Sequence, residues 1–336
     1  MTNSADPERF RLPGPELRRI FDEQIRPIYV GTARQTPTVF FIAGQPGAGK
    51  TTVESRIAQQ LGVEEAVRVD GDDLFSYHPA FERLTAENDH TARTLLADAA
   101  DEWWTMLTDY LREQRTDIII SAPLAGPDWA AARFTDFRQA GYRVEYVFVA
   151  VHEARSLLAI LDRYQHDKDQ YGVGRFVRPD AHDRAYGAVL GTVDRLEAER
   201  LVDAVYVVRR GGDLVHQNSL DEAGNWRDPP GLRRAIENER SRAWTVDERN
   251  HFQRRVEATA GRISEHLAPV LADAIRRAMA HLGPAGSPSS VATVAQAWPS
   301  STRDSMVEQV RSGDVDPGVA GASSTQSTRS DRGATR

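Results

Sequence analysis

Gly44-Gln45-Pro46-Gly47-Ala48-Gly49-Lys50-Thr51 satisfies the pattern G-x-x-x-x-G-K-S/T and is followed by Thr52. Its glycines admit backbone turns closed to other residues, so successive N–H groups converge on phosphate oxygens. Lys50 then reaches the outer phosphates, and the Thr51 hydroxyl is offered to Mg²⁺. Nucleotide binding is the chemistry that this spacing implies.

Two further groups bear on phosphoryl transfer. Asp70, Asp72 and Asp73 follow the apolar run Ala66 to Val69. At the carboxyl end of a strand, on the edge where the phosphate loop also lies, such carboxylates can hold Mg²⁺ through water or take a proton from a substrate hydroxyl. Asp70 or Asp73 can equally cap the segment that follows. Farther on, Arg163, Lys168, Arg175, Arg178 and Arg184 surround Gly172 and Gly174. Arginines closing over a transferring phosphate stabilise developing charge, with the glycines as hinge, which makes 162–184 a candidate lid. Five aspartates alternate with these basic residues, the pattern of an ordinary solvated helix face.

The elements that must position these groups alternate. Thr38 to Ile42 is a continuous apolar run leading into the phosphate loop, and Val53, Ile57 and Leu61 follow at helical spacing up to a stop at Gly62. Ile118 to Ile120, Tyr146 to Val149 and Ala204 to Val208 are further strands, with helices over Thr91 to Arg112 and Trp129 to Ala140. Fully apolar strands alternating with helices imply an α/β fold, a mainly parallel sheet with helices on both faces. A short amphipathic helix is expected over 15–30. A helical appendage is expected from about Asn238 to Leu282, where Phe252, Val256, Ile263, Leu267, Leu271, Ile275 and Met279 recur at four or seven. The segment 284–336 has 32 Gly, Pro, Ala, Ser or Thr among 53 residues and no period, so it is expected to be disordered.

Composition excludes several classes. The 336 residues contain no cysteine, so there is no disulfide framework, thiolate metal site or cysteine nucleophile. With 42 Lys+Arg against 49 Asp+Glu, the net charge of −7 argues against a broad nucleic-acid surface. The polar N-terminus and the absence of an 18-residue apolar run lead to the expectation of a cytoplasmic protein with no membrane span. Trp103-Trp104 reads as one buried and one partly exposed aromatic rather than as a stacking site. His78 and His182 lack metal-ligand spacing. The arginines of the appendage alternate with acids as on a solvated face.

Together the phosphate loop and Asp70-Gly71-Asp72-Asp73-Leu74-Phe75-Ser76-Tyr77-His78-Pro79 resemble one family, the zeta toxins, P-loop kinases of UDP-N-acetylglucosamine. The resemblance covers about Pro37 to Leu220. It implies a P-loop kinase fold over 37–225; the helical segment expected over 1–36, the appendage over 226–283 and the tail lie outside the resemblance. It implies ATP and Mg²⁺ as cofactors, the nucleotide sugar as substrate and an antitoxin protein as a possible partner. Asp72 matches the family's general base, acting on the 3′-hydroxyl of the amino sugar, and Lys50 and Thr51 match the ATP-binding pair. Arg163 and Arg175 look like the phosphate clamps, with Arg178 as a less well-aligned alternative. Asp70, Asp73, His78, Glu102 and Ser121 are further candidates for substrate contact. Ser121-Ala122-Pro123 departs from the family, which commonly has an acidic residue and a glycine-rich turn there. That departure leaves room for another small hydroxyl acceptor, such as an antibiotic or nucleoside. A nucleotide-binding regulator with decayed catalysis is the non-enzymatic alternative.

Overall fold

The computed structural model describes residues 6–61 and 63–282. Gly62 and the expected tail over 284–336 lie outside the described residues. Six strands form one sheet: β1 (Thr38–Ala43), β2 (Val67–Asp70), β3 (Ile118–Ser121), β4 (Arg143–Val149), β5 (Ala204–Val208) and β6 (Leu214–Ser219). Their order is β2-β3-β1-β4-β5-β6, parallel except for β6, which pairs antiparallel with β5. The chain leaves β1 for one side of the sheet and returns to its other side at β4, so the cleft beyond the carboxyl end of β1 is a topological switch point. Register sharpens this placement. Ser121 pairs with both Ile42 and Asp70, so the loops after β1, β2 and β3 start from one row.

Before β1 comes α1 (Gly14–Ile20), and between β1 and β2 lies α2 (Lys50–Leu61). The expected amphipathic helix over 15–30 is shorter than its apolar spacing suggests: α1 passes into a π-helical turn, Phe21–Ile25, which lets Ile20, Phe21 and Ile25 all reach the core. Between β2 and β3 come α3 (Phe81–Glu87), α4 (Ala92–Leu95) and α5 (Ala97–Gln114), so the helix expected over 91–112 is broken at Leu96. The rest are α6 (Pro127–Gln139), α7 (Glu153–Tyr171), α8 (Pro179–Ala198), α9 (Leu232–Ser241), α10 (Val246–Ala260) and α11 (Ala268–Leu282). β6 carries the polar sequence Leu-Val-His-Gln-Asn-Ser and buries only Asn218, an edge strand without an apolar run to announce it.

β1 is buried on both faces. Val39, Phe41 and Ala43 join a core with α5, α6 and α8, and Phe40 and Ile42 join a second one with α2. Phe41 meets Phe134 edge-on at 4.9 Å, the sort of contact that fixes a helix on a sheet. A third core lies apart from the sheet: Leu157, Leu161 and Tyr164 of α7 pack with Trp244, Phe252, Val256, Leu271 and Ile275. Fully burying each such side chain is worth about 1.5–3 kcal/mol. The C-terminal helices therefore hold α7, the helix that carries Arg163.

Glu248 secures the start of α10. It completes a capping box, with the Thr245 hydroxyl accepting from Glu248 N at 3.2 Å and Glu248 Oε2 accepting from Thr245 N at 2.9 Å. Arg242 donates to both carboxylate oxygens and Arg155 to one, at 2.6–2.7 Å. These bonds, the Arg242 one foremost, hold the carboxyl down to about 2 from its ordinary 4.5. A depressed carboxyl stabilises the fold above its unfolded value and loses that contribution as pH falls through the folded one. Glu248→Gln should cost about 1–2 kcal/mol at pH 7. In urea melts that difference should shrink progressively between about pH 4.5 and 2, and a pH-independent difference would refute the assignment.

Candidate active site

The phosphate loop is shaped by what stands behind it. Gly47 has φ +78°, and a Cβ there would lie 2.2 Å from the Ser156 carbonyl of α7. Gly49 has φ +96° and faces the stem of Arg210. Lys50 Nζ donates to Gly44 O at 3.0 Å, closing the loop on itself. Desolvation, reinforced by Arg175, pushes the Lys50 ammonium down to about 8.

This loop floors a cavity of about 740 Å³. Pro46, Gly47, Gly49, Lys50 and Thr51 line it, together with Asp70, Asp72, Ser121, Arg163 and Arg175. Residues more than a hundred positions apart in the chain thus meet around one space. Gly44, Gln45, Ala48 and Thr52 shape or flank the loop without lining the cavity.

Asp70 Oδ1 accepts from the Asp72 N–H at 3.0 Å, a turn that aims the second carboxylate. Asp72 then pairs with two arginines. Arg93 Nη1 donates to Oδ1 at 3.2 Å, and Arg175 approaches Oδ2 closely. Arg93 also lies over the Phe75 ring at 4.9 Å. Nothing in its sequence neighbourhood marked Arg93, because α4 is a single turn whose orientation depends on α3 and α5.

Arg163 projects from α7 with Nε and Nη2 buried and without a hydrogen-bond partner among the described residues. Burial lowers its basicity and that of Arg175. A desolvated, unpaired guanidinium is costly unless an anion completes it. Arg178 and Arg184 instead pair with Asp180 at the surface, and Lys168 with Asp89 and Tyr164. The alternative clamp, Arg178, does not reach the cavity.

Asp89 had no signal of its own in the sequence. Its Oδ2 accepts from the Gly174 N–H at 3.1 Å, and its carboxylate also receives the Tyr164 hydroxyl and the Lys168 ammonium. This anchors the turn after α7, where Gly172 takes φ +78°, immediately before Arg175.

Other candidates lie elsewhere. The Glu102 side chain sits on the exposed side of α5, and Asp101, Trp104 and Thr105 line the cavity in its place, because one residue's shift turns a helical position by 100°. Asp73 starts a 3₁₀ turn outside the cavity, and burial pushes its carboxyl up. His78 is structural: Nδ1 accepts from Ala80 N at 3.1 Å, and Nε2 meets Phe10 O at 2.9 Å, pinning the N-terminal segment. His182 is buried between Ser156 and Asp183.

Ser121 is backed by Glu54 of α2, whose buried carboxyl is raised by desolvation and accepts the serine hydroxyl. Trp103 and Trp104 are both buried, not one partly exposed as expected, because α5 packs both against neighbouring segments: Trp103 donates to Leu17 O at 2.9 Å, and Trp104 borders the cavity and meets Trp129 at 5.0 Å. Trp129 is 44% exposed, so the pair offers an aromatic surface to the cavity. Arg210 and Arg255 complete the lining from after β5 and from α10; burial pushes Arg210 down to about 10.

Asp89→Ala should leave the Gly174 N–H unsatisfied and remove the carboxylate partner of Lys168, costing about 1–3 kcal/mol. The expected signs are a lower thermal midpoint and faster proteolytic cleavage within 172–178; an unchanged cleavage rate would count against Asp89 as the anchor of this turn.

The family model for "Zeta toxin" matches residues 26–221. "Toxin zeta" of Streptococcus agalactiae is 22% identical over 187 residues, 55% of this chain and 65% of that protein. "Toxin zeta" of Streptococcus pyogenes is 23% identical over the same shares. The match therefore spans less than two thirds of the length of these relatives. Among solved structures, the PezAT chromosomal toxin–antitoxin system of Streptococcus pneumoniae aligns with a TM-score of 0.63 at 20% identity, over 74% of this chain and 98% of that one. That likeness shows a shared fold. With the family model covering more than half of its residues, this chain belongs to the zeta toxin family.

Proposed function

We propose that the chain is an ATP-dependent small-molecule kinase whose preferred acceptor is the 3′-hydroxyl of the amino sugar of UDP-N-acetylglucosamine. One observation carries this reading: a phosphate loop, a carboxylate and two arginines from four separate segments line a single cavity. In this account the loop N–H groups and Lys50 hold the β- and γ-phosphates. Thr51 and Asp70 supply hard oxygen donors fit for Mg²⁺, which would draw its remaining ligands from phosphate and water and neutralise charge between the phosphates. Asp72 accepts the acceptor's proton. In this reading Arg175, which pairs with Asp72, moves from it toward the transferring phosphate and frees the base as the clamp engages. Arg163 already stands unpaired. The Trp104–Trp129 wall suits a flat face of the acceptor.

A second reading, a different small hydroxyl acceptor, is favoured by Ser121 backed by Glu54 where the family resemblance implies an acidic residue. A toxic role and a neutralising antitoxin protein are proposed from the names borne by the relatives. Among the described residues no helix is long and apolar enough to cross a membrane.

Incubation with ATP, Mg²⁺ and UDP-N-acetylglucosamine should yield a product heavier by one phosphate. An unmodified sugar under conditions where nucleotide is bound would shift the assignment to another acceptor, which a panel of hydroxyl compounds would identify. Asp72→Asn should lower turnover by about 10²–10⁴ while retaining nucleotide binding; full turnover in that variant would remove Asp72 as base. Because Lys50 loses its proton near pH 8 in the free protein, affinity for a non-hydrolysable ATP analogue should be level below that pH and fall above it. Lys50→Met should bind weakly throughout and lack this break.

A further inference from the structure

Gln45 is the second residue of the phosphate loop, yet its side chain is fully buried and does not line the cavity. Nε2 donates to Val151 O at 2.9 Å and to Ser156 Oγ at 3.1 Å, and Oε1 accepts from Arg240 Nη2 at 3.1 Å. The orientation of the amide is forced, since a guanidinium only donates and a carbonyl only accepts. Arg240 stands on α9, outside the span matched by the family model, and is 4% exposed.

Its surroundings are unusual for a cation. Nη1 donates to Tyr186 O at 3.0 Å, and the guanidinium lies 3.7 Å from the centre of the Tyr186 ring and 5.2 Å from that of Phe148. Nε has no hydrogen-bond partner, and no carboxylate pairs with Arg240 among the described residues. An apolar residue of similar volume would be cheaper to bury here. What the arginine gains is the Gln45 amide. Through it the α9 helix grips the loop residue whose own carbonyl accepts from Ala48 N at 3.1 Å and lies 3.5 Å from Lys50 Nζ. Ser156, the other partner of Gln45, is the residue whose carbonyl packs on Gly47 and whose hydroxyl meets His182 Nε2 at 2.8 Å.

We propose that Arg240 is a positioning residue for nucleotide binding, holding Gln45 from behind so that the phosphate loop is preformed. The C-terminal helices are then part of the nucleotide site rather than an attachment to it. Preorganisation of this kind strengthens binding by removing the cost of ordering the loop at the moment the ligand arrives. The inference rests on the nucleotide-binding reading of the loop and is independent of which acceptor the cavity takes.

The test titrates a non-hydrolysable ATP analogue with Mg²⁺ into the full chain and its Arg240→Met, Gln45→Met and double variants by calorimetry, alongside thermal melts. Each single variant should bind about tenfold more weakly, and the double variant no more weakly than the weaker single, because both remove the same contact. Arg240→Met leaves Gln45 Oε1 and Tyr186 O without their donor, so its melting temperature should fall together with its affinity. Where turnover is measured, the KM for ATP should rise with kcat retained. Wild-type affinity in Arg240→Met, additive losses in the double variant, or a lower melting temperature with unchanged affinity would overturn the proposal. Should Arg240→Met fail to fold, Gln45→Met decides the question by the same affinity. Failure of the wild type to bind the analogue would instead overturn the nucleotide reading of the loop itself.

Discussion

The organising constraint is the concentration of desolvated positive charge around one glycine-rich turn. Lys50, Arg163, Arg175 and Arg210 line the same cavity, and burial lowers the basicity of each. Such a cluster repels itself, so the surrounding fold must hold it open. Asp70 and Asp72 answer part of the charge from the carboxyl end of β2. The rest is left for a ligand rich in negative oxygen. This arrangement favours polyphosphate over a neutral ligand before any specific contact is considered.

Holding the cations in place explains features that belong to no motif. α7 presents Arg163 because its opposite side is packed in the third core against α10 and α11. The turn bearing Arg175 is tied to Asp89, nearly ninety residues earlier in the chain. Arg277 of α11 pairs with Asp183 and Glu153, tying the helices before and after that turn to the C-terminal hairpin. The turn between α7 and α8 is thus held from both sides, by Asp89 and by the helices that Arg277 ties together.

Much of the site was legible before the fold. The phosphate loop is contiguous, and its spacing alone specifies which atoms converge. Asp72, Arg163 and Arg175 emerged from the likeness of whole stretches of sequence, and the cavity gathers them. Glu102, named from the resemblance although out of register with it, does not line the cavity; Asp101 and Trp104 do, because adjacent helix positions point about 100° apart. His78 looked chemical from its neighbours and proved to be a brace for Phe10, a partner distant in sequence. The 3.6-residue periodicity from Phe252 to Met279 announced helices, but not the turn over Glu265–Leu267 that folds them into a hairpin against α7.

By itself, the amino-acid sequence determined the β-strand, glycine loop and helix that can bind phosphate, and the mainly parallel sheet. These depend on local geometry and on patterns written within a few turns of chain. Only the tertiary structure decided which cations remain unpaired, that Glu54 stands behind Ser121, that Arg93 pairs with Asp72 while Asp89 ties the turn before Arg175, and that Arg240 reaches the loop from α9. Each of those is a contact between segments far apart in the chain. Its existence depends on the relative placement of packed helices, which apolar burial sets collectively and no single stretch of sequence encodes.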